Sequence, residues 1–194
     1  HYYGIREDGY EPAAVEVLHG EVVLTPEEHK QRKGLIQLYE AKDKNYGAFI
    51  EQAAYTWFNR IMAIRFMELN DRLPSHTRMF SLNDGSFGSQ AVTKALDIQI
   101  EGVDQARVIE YKQAGDDEAL FRYLFLTQCN ELSSCMPQVF DPVGSALELL
   151  LPNGLLRKGS VIERMVADIH EEDWREGVEI VGWMYQYYNA ERKD

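Results

Sequence analysis

The sequence predicts a mostly α fold, with several helices around one buried central helix and a small β-hairpin near the N-terminus. Three observations lead there. Residues 54–69 (AYTWFNRIMAIRFMEL) carry large apolar side chains in nearly every direction around a helix, and a helix apolar all round belongs inside a domain. Helix-start signals recur along the chain, at Thr25-Pro26-Glu27-Glu28 and again at Ser160 with Glu163. Finally, the 194 residues are 45% hydrophobic and 11% aromatic, enough for one domain with a sizeable core.

Residues 1–24 are the least regular and are set apart from a helical domain over 25–194. Val15 to Leu24 is Val-rich on both sides of His19-Gly20, which suits a short hairpin. Such a hairpin is marginal alone and must lie on the rest of the domain. Thr25 then caps a helix over about 26–42: Pro26 suits its first position and Glu28 completes a capping box. Asn45-Tyr46-Gly47 breaks it, and the central helix covers about 47–70, ending before Pro74. Residues 74–103 are rich in Pro, Ser, Gly, Asn and Thr, with a turn at Asn83-Asp84-Gly85 and a short helix at 89–96.

Helical periodicity resumes at 104–113. It returns over 116–135, where Leu120, Tyr123, Leu124 and Thr127 share one face. Pro137 and Pro142 punctuate a connector, and an apolar run at 147–151 stops at Pro152-Asn153-Gly154. Ser160 caps a helix to about Ala167. A short acidic piece at 170–174 leads to a last helix over 178–191, with Ile180, Val181, Trp183, Met184, Tyr187 and Tyr188 spread over much of its surface.

The formal charge is −12, a poor basis for gripping phosphate backbone without a local basic patch. Lys30, Arg32 and Lys33 form one such cluster, with Arg72 and Arg78 about a loop. They are candidates for DNA or partner contact, and the plainer reading is a solvated surface. No apolar run is long enough to span a bilayer. The start lacks a basic lead and an apolar signal region, so a cytoplasmic location is expected. It also lacks an initiator Met, as a fragment of a longer chain would.

The sequence shows no catalytic constellation. Gly85-Ser86-Phe87-Gly88-Ser89 lacks the Lys and spacing of a phosphate loop. The five histidines are scattered, with no pair at zinc-binding spacing. Ser133, Ser134 and Cys135 have no histidine in an activating motif. Glu171, Glu172 and Asp173 suit a helix start better than a metal. Cys129 and Cys135 are about 120° apart on a helix, which argues for two buried free thiols. Tyr55, Trp57, Phe58, Arg60 and Arg65 resemble a base-stacking surface, yet at helical spacing they read better as core. Arg65, between Met62 and Leu69, then needs an acid such as Glu68.

Residues 54–68 resemble a signature in the N-terminal region of the PglX, or BrxX, adenine-specific DNA methyltransferases of BREX phage-defence systems. Three later stretches are similar to the same region in the same order: 117–122 with Gln128-Cys129, then 148–156 (ELLLPNGLL), then 160–194. On this resemblance Tyr55, Trp57, Asn59, Arg60, Arg65, Trp183 and Tyr185 are family-motif positions with structural or interface roles. It implies a parent that uses S-adenosylmethionine to methylate adenine in DNA. The family's cofactor glycine motif and Asn-Pro-Pro-Tyr catalytic motif do not occur in this chain. The expectation is therefore a non-catalytic domain that binds no cofactor itself. Its expected partners are a downstream methyltransferase domain, DNA through the parent and other defence proteins, with no membrane. The alternative is an interaction module without DNA contact.

Overall fold

The computed structural model describes residues 2–14, 17–18, 20–137, 139–140 and 146–175. The expected helix over 178–191, with Trp183 and Tyr185, and His19 of the expected turn lie outside the described residues.

The order is β1 (Ile5–Arg6), β2 (Gly9–Tyr10), β3 (Val17–Leu18), β4 (Val22–Val23), α1 (Pro26–Glu40) and α2 (Tyr46–Leu69). Then come α3 (Gln90–Thr93), α4 (Gln105–Ala114), α5 (Asp117–Ser133), a 3-10 helix (Ala146–Leu150), α6 (Val161–Asp168) and α7 (Glu171–Arg175). The fold is mostly α, as expected. β3 and β4 form the expected hairpin, pairing Val17 with Val23 and Leu18 with Val22. A second hairpin, Ile5 opposite Tyr10 and Arg6 opposite Gly9, appears where irregular chain was expected. Its strands are two residues long, too short to show alternation, and its turn, Glu7-Asp8, carries no Asn-Gly or Asp-Gly signal.

The first helix-start box forms in full, whereas the second forms by half, because Glu163 reaches the N–H of Gly159 and not that of Ser160. Thr25 Oγ1 accepts from the Glu28 N–H, and Glu28 Oε2 accepts from the Thr25 N–H at 2.8 Å. Ser160 Oγ accepts from the Glu163 N–H, while the Glu163 carboxylate accepts from Gly159. Helix α1 buries Arg32, Leu35, Ile36 and Tyr39, one face at three- and four-residue spacing. Gly34 lets it approach the 3-10 helix closely, because a β-carbon there would lie 2.9 Å from the Ala146 Cβ. Asp43 and Lys44 then take left-handed φ of 54° and 60°, turning the chain to Asn45, which caps α2.

At 24 residues, α2 is about 36 Å long. Its buried residues, Trp57, Met62 and Ile64 among them, join Phe80, Phe121, Phe125 and Trp174 in one core. Phe121 and Phe125 stack with ring centres 6.0 Å apart, and Trp57 lies 6.1 Å from Phe125. A second cluster unites Ile5, Leu35, Ile36, Tyr39, Phe49, Ala146 and Leu149. The N-terminal segment, α1, the start of α2 and the 3-10 helix thus share one apolar seam. On α5, Leu120, Leu124 and Thr127 are buried as predicted. Helix α3 is four residues, shorter than the expected 89–96.

Candidate functional site

Three charged groups of α2, those of Arg60, Arg65 and Glu68, are buried, while Glu51 is exposed. The guanidinium of Arg65, fully buried, donates to Glu68 one turn away and to Ser81 Oγ at 3.0 Å. The second oxygen of Glu68 accepts from the backbone N–H groups of Met79 at 2.6 Å and Phe80 at 2.8 Å. Glu68 therefore supplies the acceptors that this stretch of loop lacks. Burial raises its pKa, while Arg65 and the two N–H groups pull it back down.

Nearby, the Gln90 side chain accepts from the Arg78 N–H at 2.9 Å and donates to Asn83 at 2.7 Å. Arg78 reaches Glu171 at 2.6 Å, tying the same loop to α7. Glu171 also meets Arg175 at 3.3 Å. The acids of 171–173 stand in the first turn of α7, and no metal-holding group of three His, Cys, Asp or Glu occurs among the described residues.

Two of the resembling stretches, 117–122 and 148–156, meet directly through hydrogen bonds, and the stretch 54–68 reaches the residue just before 148–156. Trp57 Nε1 donates to the Leu147 carbonyl at 3.1 Å. Glu118 of α5 accepts from the N–H groups of Gly154 (2.7 Å), Leu155 (2.9 Å) and Leu156 (3.3 Å). Arg122 donates to the carbonyls of Leu151, at 2.7 Å, and Glu148. One acid and one base on α5, a turn apart, thus clamp the 148–156 turn from its N–H and C=O sides. Burial lowers the pKa of Arg122 and raises that of Glu148. Sequence reasoning did not assign Glu118 or Arg122 a role, although both stand in the resembling stretch 117–122.

Of the predicted family positions, Trp57, Arg60 and Arg65 are buried, while Tyr55 and Asn59 are half-buried. The Arg60 guanidinium lies 5.0 Å from the Trp57 ring centre, a cation–π contact within the core. No continuous stacking face is presented by Trp57, Arg60 and Arg65. Trp183 and Tyr185 lie outside the described residues.

The predicted basic cluster is corrected at Arg32, which is fully buried. Its guanidinium donates to the carbonyls of Tyr3 (2.8 Å), Glu11 (2.6 Å) and Pro12 (3.1 Å). Three convergent carbonyls satisfy a buried cation, so Arg32 holds the N-terminal segment on α1. Lys30 and Lys33 remain exposed. The two thiols also differ from expectation: both are free, yet only Cys129 is buried. Burial pushes the Cys129 pKa up to about 12.

Concavities lined by described residues offer further candidates. A polar one of about 650 Å³ holds Tyr3, Gln31, Arg122 and Glu148, where Gln31 donates to Glu148 at 3.0 Å. A smaller one of about 320 Å³ adjoins Glu68, His76 and Arg78. His76 pairs with Asp71 at 2.9 Å on the surface. The nearby Ser75 hydroxyl turns away to Gln128, at 3.1 Å, so the three do not form a nucleophile–base relay. The third, an apolar groove of about 670 Å³, runs between α2 and α6. Among the described residues no helix is long and apolar enough to cross a membrane.

No family model matches the chain. It is 40% identical over 157 residues to the adenine-specific methyltransferase BrxX of Escherichia coli O9:H4 (strain HS). It is 38% identical over 157 residues to the adenine-specific methyltransferase PglX of Lacticaseibacillus casei (strain Zhang). These matches cover 79% and 75% of this chain, and 13% of each relative. The chain is thus similar to part of these adenine-specific methyltransferases, the family that residues 54–68 resemble.

Proposed function

We propose that this chain is the non-catalytic, N-terminal helical domain of an S-adenosylmethionine-dependent, adenine-specific DNA methyltransferase of a BREX phage-defence system. It packs on the catalytic domain and helps position DNA or protein partners of the complex. The observation that carries this reading is the 38–40% identity to two such methyltransferases, over only 13% of each. A piece that small, carrying neither the cofactor glycine motif nor the catalytic motif, is suited to packing and positioning. The geometry supports the same division of labour. Arg32, Arg65, Glu68, Glu118 and Arg122 are each occupied in holding chain segments together.

The test is a calorimetric titration of the chain with S-adenosylmethionine. The expected result is no binding, and a micromolar dissociation constant would overturn the proposal.

A second reading is a protein-interaction module that does not touch DNA. The charge of −12 favours it, as does the loss of Arg32 from the exposed basic cluster, since phosphate affinity rises with each neutralising cation. Duplex binding at low salt separates the two readings. DNA positioning predicts binding that weakens when Lys30 and Lys33 are both changed to Glu. The interaction module predicts no binding by either protein.

A further inference from the structure

We propose that the polar concavity between the N-terminal segment, α1, α5 and the 148–156 turn binds an alkylguanidinium, a planar monocation on a short apolar tail. The inference goes beyond the methyltransferase reading and does not depend on it.

The concavity measures about 650 Å³, within the range of about 300–1,000 Å³ found for small-molecule sites. Separate parts of the chain converge on it. Tyr2 and Tyr3 come from the N-terminal segment, Glu28 and Gln31 from α1, Arg122 from α5 and Glu148 from the 3-10 helix. Hydrogen bonds hold these parts in place before any ligand arrives. Arg32 anchors the Tyr3 carbonyl at 2.8 Å, Gln31 donates to Glu148 Oε2 at 3.0 Å, and Arg122 grips the carbonyls of Leu151 and Glu148. A site already ordered lowers the entropic cost of binding.

The hydrogen-bonding capacity left over decides the charge of the ligand. Arg122 directs both terminal nitrogens to backbone carbonyls, so its charge remains while those donors are engaged. The carboxylates keep spare capacity. Glu148 uses one oxygen on Gln31, and Glu28 uses one on the Thr25 N–H. The other oxygen of each has no hydrogen-bond partner among the described residues. A carboxylate only accepts, so the group that completes it must donate. Two carboxylates and one guanidinium stand among the described lining residues, which leaves one negative charge in excess. A monocation balances it. Glu27 deepens the negative potential at Glu148, and an anion would meet repulsion.

Shape narrows the cation to a guanidinium. Its flat fork matches a carboxylate and its face stacks on aromatic rings, whereas an ammonium is a compact point charge. The Tyr2 and Tyr3 rings meet edge to face with centres 4.9 Å apart. Tyr2 is 61% exposed and so open to a stacking cation. Leu126, Leu149 and Pro152 line the same concavity and offer a short alkyl tail an apolar wall.

The experiment titrates the isotope-labelled full chain with butylguanidinium chloride and follows the backbone amide shifts by NMR. Saturable shifts are expected at residues 2–3, 28–31 and 148–153, with a dissociation constant on the order of 1 mM, as suits so small a ligand. Butylurea, a neutral molecule of similar shape, and pentanoate should each bind at least about tenfold more weakly, the effect of losing one charged hydrogen bond. Glu148→Gln should weaken butylguanidinium binding as much, whereas Glu110→Gln, exposed on α4, should leave it unchanged. Should Glu148→Gln fail to fold, the ligand series on the unsubstituted chain still decides. N-acetylarginine methylamide separates two sources of the same chemistry. Binding as tight as that of butylguanidinium assigns the site to an arginine side chain of a polypeptide, and weaker binding assigns it to a free ligand. No saturable binding of butylguanidinium, equal binding of butylurea, shifts that map elsewhere, or unchanged affinity in folded Glu148→Gln would overturn the proposal.

Discussion

Arg65 and Glu68 form an ion pair one helical turn apart, with both side chains fully withdrawn from solvent. The pair belongs to the loop as much as to the helix, because Glu68 also accepts from the N–H groups of Met79 and Phe80. Glu68→Ala would strand the Arg65 charge and two backbone donors together. Breaking a buried pair by removing one partner costs about 3–5 kcal/mol. Denaturant unfolding of Glu68→Ala should show that loss, and Glu68→Gln, which keeps an acceptor oxygen, should lose less. A cost under about 1 kcal/mol would mean that the pair behaves like a surface one.

Arg32 and its neighbours Lys30 and Lys33 should separate cleanly in stability. Arg32→Ala removes a charged donor from three carbonyls, and hydrogen bonds of that kind are worth about 1.5–3 kcal/mol each before non-additivity. The expected loss is therefore at least about 2 kcal/mol, with faster amide exchange over residues 3–12. Lys30→Ala and Lys33→Ala should stay within about 0.5 kcal/mol of the parent. Equal effects for all three would contradict the assignment of Arg32 to the fold.

The two thiols offer a chemical check of burial. Cys129 is enclosed, with its pKa pushed up to about 12, whereas Cys135 is exposed. Because the thiolate is the reacting species, a chromogenic disulfide reagent at pH 8 should label one thiol per folded chain. The second should react only after denaturant is added. Rapid labelling of both would contradict the α5 packing.

Glu148 is predicted to make stability pH-dependent. Burial raises its folded-state pKa, partly offset by the hydrogen bond from Gln31 and the charge of Arg122. A carboxyl with a raised folded pKa contributes fully below its unfolded value, about 4.3. That contribution is lost as pH rises through the folded value, because the native state holds the proton longer. Glu148→Gln mimics the protonated form. Unfolding curves taken from pH 4 to 7.5 should show the variant gaining on the parent as pH rises, whereas parallel profiles would sink the assignment.

The sequence reveals most of this fold where the signals are local. Thr25 with Glu28, and Ser160 with Glu163, mark helix starts because each cap hydrogen bond spans only three residues. The length and burial of α2 follow from its own side chains. What the sequence conceals depends on distant partners. Arg32 looks like surface charge beside Lys30 and Lys33 until the carbonyls of Tyr3, Glu11 and Pro12 converge on it. Glu118 and Arg122 look like ordinary helix-surface residues until the 148–156 turn lies against them. The groove is hidden for the opposite reason: its α2 and α6 stripes are each unremarkable apolar positions, separated by a hundred residues.

The role proposed for this domain is packing and positioning, without chemistry of its own. Lysine-directed cross-linking with mass spectrometry on a complete methyltransferase containing this domain tests it most directly. Exposed Lys30, Lys33 and other surface lysines should link reproducibly to the catalytic region, and DNA should change that pattern. Links confined to the domain itself, with the catalytic region untouched, would contradict the claim.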